Sequence, residues 1–204
     1  MTKGTLFIVS APSGAGKTSL LKALVQTEDR VKVSVSHTTR PQRPGEVDAV
    51  DYHFLDVNAF RQMIDEGDFL EHAEVFGNYY GTSEAGILDQ LDCGNDVILE
   101  IDWQGAQQVR KRIPGTVSIF ILPPTPEALR QRLSSRGQDS ESVIRRRLAE
   151  AREEMSHYAE YDYIVVNDLF EQALGELRSI IMSRRLTLEV QSVQLQDRLR
   201  SLLA

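Results

Sequence analysis

A short Gly-containing segment near the N-terminus carries the residue types that bind phosphate. It reads Ser-Ala-Pro-Ser-Gly-Ala-Gly-Lys-Thr over residues 10–18 and follows the apolar run Leu6–Ser10. In a loop of this kind, consecutive backbone N–H groups converge on phosphate oxygens, and the positive end of the following helix faces them. Lys17 can reach β- and γ-phosphates, and the Thr18 hydroxyl can ligate Mg²⁺. The segment therefore predicts a phosphate-binding P-loop.

The glycines of this segment have a specific use, because a residue without Cβ lets the backbone approach a phosphate closely. The strict pattern for the loop is G-x-x-x-x-G-K-[ST], and Ala11 stands in place of its first Gly. The flanking strand and helix signals are both present, so we predict that the whole loop binds a nucleoside triphosphate. Its residues are Ala11, Pro12, Ser13, Gly14, Ala15, Gly16, Lys17 and Thr18.

A second group of polar residues follows the P-loop. The segment Ser-His-Thr-Thr-Arg-Pro-Gln-Arg-Pro-Gly-Glu holds Arg40 and Arg43 on a Pro-rigid loop. Two guanidinium groups so close suit a phosphate dianion better than a carboxylate. The stretch 69–83 adds a carboxylate, two phenols and two hydroxyls, and phenols can hydrogen-bond phosphate while their rings pack on ribose or base. Together these residues predict a second site, for a phosphate-bearing acceptor.

Short apolar runs alternate with amphipathic stretches along the chain and would position these residues. The predicted strands are Leu6–Ser10, Val33–Ser36, Val97–Ile101, Ser118–Leu122 and Tyr163–Val166. The predicted helices are Lys17–Gln26, Gln104–Arg112, Pro126–Ser134, Ser140–Tyr158 and Leu169–Leu188. Continuous β-branched runs fit strands buried on both faces. We therefore predict an α/β fold with a parallel sheet flanked by helices.

Two stretches interrupt this alternation. Residues 37–92 read as a small α+β insert, with a polar loop, a helix from about Asn58, an extended run over Phe69–Phe76 and a Gly-Asn-Tyr-Tyr-Gly turn. Residues 126–157 read as helix, Arg-rich loop, helix. We expect a core formed by residues 1–36, 93–125 and 158–204. The tail from about Thr187 has a roughly helical apolar spacing, which leaves open whether it packs on the core or on another subunit.

Composition narrows the class of protein. The chain has 204 residues and a net charge of −7, which argues against a general binder of nucleic acid or membrane surfaces. A single cysteine excludes an internal disulfide framework and a Cys-based zinc site. No apolar run approaches the length of a membrane span, and the first strand begins so early that we expect no signal peptide. We expect a cytoplasmic enzyme, and a homo-oligomer is compatible with the sequence.

Over roughly residues 3–188 the sequence resembles the bacterial guanylate kinases. Besides the P-loop, the resemblance rests on Ser-Val-Ser-His-Thr-Thr-Arg-x-x-Arg-Pro-Gly-Glu, Phe-Leu-Glu-His-Ala-x-Val-Phe-Gly-Asn-Tyr-Tyr-Gly-Thr, Glu-Ile-Asp-Trp-Gln-Gly-Ala, Ser-Arg-Gly and Ile-Val-Val-Asn-Asp. It implies a P-loop kinase core, a GMP-binding insert over 37–92 and a mobile lid over 126–157. It also implies the reaction ATP + GMP ⇌ ADP + GDP, or the same reaction with dGMP, with Mg²⁺, in purine metabolism.

The resemblance also implies which residues surround each substrate. It places around the GMP phosphate Arg40, Arg43, Tyr52 and Tyr80. It places around the guanine Ser36, Glu71, Thr82 and Asp102. The lid arginines that approach the ATP phosphates would be Arg132, Arg136 and Arg147, and Asn167 would lie at the strand end that contacts adenine. The predicted catalytic set is Lys17 with the two acceptor-site arginines and the three lid arginines.

Carboxylates at the acceptor base favour guanine on chemical grounds. Guanine presents N1–H and N2–H₂ donors on one edge, and an anionic carboxylate accepts from both, whereas adenine has an unprotonated N1 there. A site with buried polar groups rejects a base that leaves those groups unpaired. A further acid, Glu100, stands where many guanylate kinases have Asp. Whether Glu100 meets Mg²⁺ through water or has no metal role is left open by the sequence.

Two other functions stay open at this point. A guanylate-kinase-like protein-interaction module would keep the fold and bind partners near the nucleotide cleft, but intact Lys17 and Thr18 argue against it. Another P-loop kinase would act on a different acceptor, and the pair Glu71 and Asp102 argues for guanine.

Overall fold

The computed structural model describes residues 2–75, 77–134 and 141–204. The strands are β1 (Leu6–Ser10), β2 (Val31–Val33), β3 (His37–Thr38), β4 (His53–Phe54), β5 (Phe69–Val75), β6 (Asn78–Ser83), β7 (Asp96–Glu100), β8 (Val117–Leu122) and β9 (Tyr163–Val166). The helices are α1 (Lys17–Thr27), α2 (Val57–Glu66), α3 (Glu84–Asp92), α4 (Trp103–Arg112), α5 (Pro126–Ser134), α6 (Glu141–Ser156), α7 (Phe170–Arg185), α8 (Leu188–Gln194) and α9 (Gln196–Leu203), with a 3-10 helix at His157–Glu160.

A five-stranded parallel sheet with strand order β2-β7-β1-β8-β9 forms the centre of the molecule. Strand β1 lies in its middle, and its side chains alternate between two hydrophobic clusters: Phe7 and Val9 belong to one, Leu6 and Ile8 to the other. Successive side chains of a strand point to opposite faces. The sheet is therefore buried on both faces, as the continuous apolar runs predict.

Helices cover both faces of this sheet. On one face α1 and α7 contribute residues such as Leu24 and Leu177 to the first cluster. On the other face α3 and α4 contribute Ile87 and Val109 to the second. This arrangement confirms the predicted α/β fold with a helix-flanked parallel sheet. In such sheets ligands bind beyond the carboxyl ends of the strands, which here lie at Ser10, Glu100 and Val166.

A second, four-stranded sheet with strand order β4-β3-β6-β5 lies within the predicted insert. Helix α2 closes one side of it. The helix begins at Val57 because the Asp56 side chain accepts hydrogen bonds from the N–H groups of Asn58 and Ala59, which satisfies two donors that a helix start leaves free. Phe60 of α2 is fully buried and stacks on Phe69 of β5, with ring centroids 4.5 Å apart.

Several predicted boundaries are wrong. The second strand is Val31–Val33 rather than Val33–Ser36; the Ser34 N–H still bonds the Ile98 carbonyl, after which the chain leaves the core for the second sheet. The predicted Gly-Asn-Tyr-Tyr-Gly turn is mostly strand β6, since Asn78–Ser83 pairs antiparallel with β5. Part of the predicted polar loop is strand β3. The long C-terminal helix ends at Arg185, and a separate helix begins at Leu188.

The predicted lid is a helix pair, α5 and α6, with a small apolar contact of its own. Leu129 and Leu133 of α5 pack with Ala151 of α6 in a third hydrophobic cluster. Helix α6 ends at Ser156 and passes into the 3-10 helix. The predicted limits of core, insert and lid stay predictions, and α3, inside the predicted insert range, packs against the core sheet through Ile87 and Leu91.

The C-terminal tail forms the short helices α8 and α9. Their apolar side chains are largely exposed, and Leu188 reaches 83 % exposure. Among the described residues, no helix combines the length and the apolar character needed to cross a membrane.

Candidate active site

The P-loop joins the end of β1 to the start of α1. Gly14 and Gly16 both have a φ of 90°, a backbone conformation that residues with a Cβ rarely adopt. At Gly16 a Cβ would also lie 2.5 Å from Asn167 Nδ2. Helix α1 begins at Lys17, directly after the loop, so its positive end faces the space that the loop encloses. The predicted P-loop therefore has the backbone that phosphate binding requires.

Two residues predicted for the ATP site, both far from this loop in sequence, hydrogen-bond its backbone. Asn167 follows β9 and donates from Nδ2 to the Ala15 carbonyl oxygen at 2.7 Å. Arg132 of α5 donates to the same oxygen at 3.4 Å and to the Asn167 carbonyl oxygen at 3.0 Å. The structure thus brings a predicted lid arginine and the predicted adenine-site residue together at the P-loop.

A carboxylate on helix α6 also contacts the P-loop. The Ser13 N–H donates to Glu154 Oε2 at 3.1 Å. Burial raises the pKa of Glu154, and the hydrogen bond from Ser13 and the charge of Lys17 oppose that rise. Glu154 was not predicted as a site residue, because an acid in an acidic helix has no local pattern that distinguishes it from its solvated neighbours.

Thr18, the predicted Mg²⁺ ligand, lies against an acid at the end of β7. Its hydroxyl donates to Glu100 Oε1 at 2.5 Å. Hydroxyl and carboxylate oxygens are ligands that Mg²⁺ accepts, and it commonly takes only one or two of them from protein, with waters and phosphates completing its shell. No cluster of three or more His, Cys, Asp and Glu side chains that would suit a metal occurs in the described part of the chain. The oxygens present therefore fit a Mg²⁺ shared with a nucleotide.

Three of the predicted guanine-site residues form one buried hydrogen-bonded chain. The Ser36 and Thr82 hydroxyl oxygens lie 3.2 Å apart, and Thr82 donates to Glu71 Oε1 at 2.5 Å. Glu71 is only 3 % exposed. Burial raises its pKa to about 7; the Thr82 hydrogen bond opposes that rise, and the charge of Asp102 adds to it.

Asp102, the fourth predicted guanine-site residue, also caps helix α4. Its Oδ1 accepts the Gly105 N–H at 2.9 Å, as expected of an acidic N-cap. A Cβ at Gly105 would lie 2.5 Å from Glu71 Oε2, so only glycine leaves room for the Glu71 carboxylate there. Gly105 was not predicted as a site residue, although it belongs to the Asp-Trp-Gln-Gly-Ala motif that carries the family resemblance.

The predicted phosphate end of the acceptor site surrounds Arg40. Its guanidinium group binds both carboxylate oxygens of Glu46, at 2.8 and 3.1 Å, and lies over the Tyr52 ring at 5.3 Å. The rings of Tyr52 and Tyr80 meet edge to face. Burial raises the pKa of Tyr52 to about 12, so its phenol remains a hydrogen-bond donor. Glu46, the last residue of the Arg-Pro-Gly-Glu motif, was not predicted as a site residue.

Two adjoining cavities connect these groups. One of about 120 Å³ is lined by residues that include Lys17, Ser36, Glu71, Tyr80 and Asp102. The other, of about 840 Å³, is lined by residues that include Thr18, Arg40, Arg43, Tyr52 and Glu100. The P-loop and the predicted acceptor site therefore open into the same space.

Of the two remaining predicted lid arginines, only one lies in the described part of the chain. Arg147 lies half-buried on α6, two turns before Glu154 and on the same helical face. Arg136 lies outside the described residues.

A P-loop at the carboxyl edge of a parallel sheet, sharing a cavity with an arginine- and carboxylate-lined pocket, defines the class of P-loop kinases that phosphorylate a small nucleotide.

Comparison with known proteins identifies the family within this class. The family model described as guanylate kinase matches residues 3–184. The guanylate kinase of Alkalilimnicola ehrlichii is 61 % identical over 98 % of both chains, and that of Hahella chejuensis is 59 % identical over 100 % of this chain and 98 % of its own. The crystal structure of guanylate kinase from Anaplasma phagocytophilum matches with a TM-score of 0.76 and 32 % identity over 96 % of this chain and 97 % of its own. The chain belongs to the guanylate kinase family, which confirms the predicted resemblance.

Proposed function

We propose a role for each part of the site in the phosphoryl transfer from ATP to GMP that this guanylate kinase catalyses. The P-loop binds the phosphates of ATP, with Lys17 reaching the transferred group, and the insert binds GMP. The observation that carries the proposal is the small cavity that both Lys17 and the proposed base-reading acid Glu71 line. A GMP held by Glu71 would direct its phosphate toward the P-loop.

The GMP phosphate is bound by Arg40, Arg43, Tyr52 and Tyr80. A guanidinium group can hold two phosphate oxygens at once, which an ammonium group cannot. In this structure Glu46 binds one edge of the Arg40 guanidinium group and so positions it. The N–H groups that do not bind Glu46 would bind the phosphate. The neutral phenols add donors that need no charge of their own.

The guanine is read by Glu71, Asp102, Ser36 and Thr82. Glu71 and Asp102 accept from the N1–H and N2–H₂ donors. The Thr82 hydroxyl holds Glu71 in place, and Ser36 in turn contacts Thr82. The buried Ser36–Thr82–Glu71 chain supports this assignment, because such groups lose their partners when a mismatched base enters.

Transfer needs no general base, because the acceptor phosphate is already an anionic nucleophile. The protein must instead bring two anions together and exclude water. Lys17 and the arginines offset the repulsion: Arg40 and Arg43 on the acceptor side, and Arg132, Arg147 and Arg136 on the ATP side. Asn167 contacts the adenine end of ATP. The position of Arg132 and Asn167 at the P-loop backbone supports a place for both in the ATP site.

The residues that would hold Mg²⁺ are Thr18, through its hydroxyl, and, we propose, Glu100 through water. When bound, it would neutralise charge on the phosphates of ATP. The hydrogen bond between the Thr18 hydroxyl and Glu100 supports a shared site.

The setting proposed for the enzyme is the cytoplasm, without a nucleic-acid or membrane partner. The net charge of −7 supports this proposal, because anionic proteins are repelled by phosphate-rich surfaces. A homo-oligomer remains compatible with the exposed tail.

The base assignment is tested by Glu71→Gln and Asp102→Asn in steady-state assays with GMP, IMP and AMP. Loss of a charge-assisted hydrogen bond costs about 1.5–3 kcal/mol, roughly 10- to 150-fold in kcat/KM for GMP. IMP lacks the N2 amine, so Asp102→Asn should narrow the gap between GMP and IMP, and Glu71→Gln the gap between GMP and AMP. Glu74→Gln, an exposed acid on the same strand, is the matched control. Unchanged substrate ratios in both variants would assign guanine recognition to other residues.

A further inference from the structure

The only tryptophan of the chain stacks on a histidine of the lid. Trp103, the first residue of α4, lies parallel to His157, with ring centroids 3.7 Å apart and an interplanar angle of 7°. His157 follows the last residue of α6 and begins the 3-10 helix. The stack therefore joins α4 to the point where the proposed lid returns to the core.

A polar network fixes the same junction. His157 Nδ1 lies 2.6 Å from Glu160 Oε1. Glu160 Oε2 accepts hydrogen bonds from Gln107 Nε2 at 2.9 Å and from Arg110 at 3.2 Å. Trp103, Gln107 and Arg110 are spaced by four and three residues, which places them on one face of α4. That face holds the end of the lid.

The opposite face of α4 holds the guanine site. Gly105 lies directly against the Glu71 carboxylate. Gln108 donates to the His72 carbonyl oxygen at 2.7 Å and accepts the His72 N–H at 3.1 Å, and Arg112 donates to the Phe69 carbonyl oxygen. At about 100° per residue, these three α4 positions lie roughly half a turn from the face that contacts the lid.

Helix α4 thus lies between the two parts of the protein that must act together. Its N-cap is the base-reading acid Asp102, and the residue that follows, Trp103, is the one stacked on the lid. Asp102 is joined to Trp103 by one peptide bond, and Glu71 lies against the same helix at Gly105, so a change at either acid when guanine binds acts on the helix that bears the stack. A rigid helix packed on both sides transmits such a change as a tilt or a shift rather than absorbing it.

We propose that Trp103 and His157 are positioning residues that couple GMP binding to the placement of the lid over ATP. The proposal rests on the assignment of guanine to Glu71 and Asp102. Neither ring touches a substrate; the stack acts through α4 on one side and through α6, with Arg147 and Glu154, on the other. Because coupling between two ligands is reciprocal, GMP would tighten ATP binding by the same factor by which ATP tightens GMP binding.

The test measures that factor by calorimetry, with GMP and a non-hydrolysable ATP analogue, each alone and in the presence of the other. His157→Ala should lower the coupling factor by about 2- to 10-fold, the worth of one aromatic pair, and leave the Kd of each nucleotide alone unchanged. His157→Phe keeps a flat ring and should restore most of the coupling. Tyr158→Ala, an exposed neighbour on the same 3-10 helix, is the matched control and should keep the wild-type factor.

Trp103 supplies a second readout, since its emission depends on what stacks against it. GMP alone should change the Trp103 emission in the wild type and in His157→Phe, and should change it much less in His157→Ala. His157→Gln removes the ring but keeps a hydrogen-bonding group for Glu160, so it replaces His157→Ala if that variant does not fold.

The outcomes separate this inference from the function on which it rests. A wild-type coupling factor in His157→Ala or His157→Gln would overturn the inference, as would a wild-type enzyme without any coupling. A loss of affinity for GMP alone in these variants would also overturn it, because the stack would then act on the site itself. Absence of GMP binding in the wild type would overturn the proposed function instead.

Discussion

Individual side chains in this site are proposed to serve two purposes, the neutralisation of phosphate and the recognition of a base. The arginines and Lys17 would serve the first, with phosphates that arrive with the substrates. The buried carboxylate Glu71 would serve the second. Burial also shifts the ionisation of Glu71, because an anionic carboxylate is destabilised away from water.

The ionisation of Glu71 predicts that GMP affinity increases as the pH rises. Burial raises its pKa to about 7, and the anionic form is the one that accepts from guanine. We therefore expect GMP affinity to rise as the pH increases from about 6 to about 8, and GMP binding to release protons over that range. Calorimetry in buffers of different ionisation enthalpy measures this release.

The Glu71→Gln variant is the control, because it retains the titration of the GMP phosphate and removes that of the carboxyl. A pH profile that is the same in the wild type and in Glu71→Gln would contradict the expectation.

The acceptor-site arginines should not tolerate lysine. Arg40→Lys and Arg43→Lys each remove a bidentate fork, so we expect KM for GMP to rise by about 10-fold or more, given about 1.5–3 kcal/mol for a charged hydrogen bond. Binding of an ATP analogue without GMP should be spared. Arg61→Lys, an exposed arginine on α2 of the same insert, is the matched control. An equal loss of affinity for the ATP analogue would place these arginines at the other site.

These side chains lie at the junctions between separate helices and strands. The P-loop depends on the junction of β1 with α1, and the backbone of the loop is held by Arg132 of α5 and by Asn167 after β9. The proposed guanine site depends on β5, β6 and the first turn of α4. The P-loop therefore belongs to the core sheet, whereas the proposed acceptor site also uses the second sheet.

We predict that the insert closes largely with GMP alone and that the lid, about 126–157, closes only with both nucleotides. The lid arginines are proposed to contact phosphate on the ATP side of the site, and the charge of two phosphate-bearing substrates is present to attract them only when both nucleotides are bound. Hydrogen exchange with GMP, with an ATP analogue and with both measures the closure of each part. An exchange profile that does not change among the three states would exclude this sequence of closure.

One buried ion pair links distant parts of the chain. Asp96, which is 4 % exposed, accepts the Thr5 N–H at 2.8 Å and the Arg185 Nε–H at 2.7 Å. Arg185 also reaches Glu28 at 3.4 Å. These contacts join the start of β1, the start of β7 and the end of α7, at the edge of the sheet away from the active site.

Removal of Asp96 should be costly because the Thr5 N–H loses its acceptor and the largely buried Arg185 keeps only the longer contact with Glu28. We expect Asp96→Ala to lower the free energy of unfolding by about 3–5 kcal/mol. Asp92→Ala, which breaks an exposed pair with Lys3 at 2.9 Å, should cost about 0–1 kcal/mol. Urea unfolding at neutral pH compares the two. Similar costs for both variants would show that Asp96 does not hold these segments together.

Sequence patterns that depend on neighbouring residues predicted much of this protein. Strands β1 and β9 and helix α5 were predicted at their observed limits, because continuous apolar runs and helical spacing are local properties. The P-loop followed from a contiguous stretch that supplies both the backbone N–H groups and the Lys17 and Thr18 side chains of the site. Family motifs located Ser36, Glu71, Thr82 and Asp102, and the structure joins the first three by hydrogen bonds.

Only the tertiary structure decided contacts between residues far apart in the chain. The Gly and Tyr content of β6 predicted a turn. The segment is a strand because of its pairing partner. Glu154 reaches Ser13 across 141 positions, and Gly105 is needed because of Glu71. The stack of Trp103 on His157 has no local signal at all. Such contacts depend on how separate elements pack against one another. A sequence pattern can indicate a contact only when the two residues are close together in the chain.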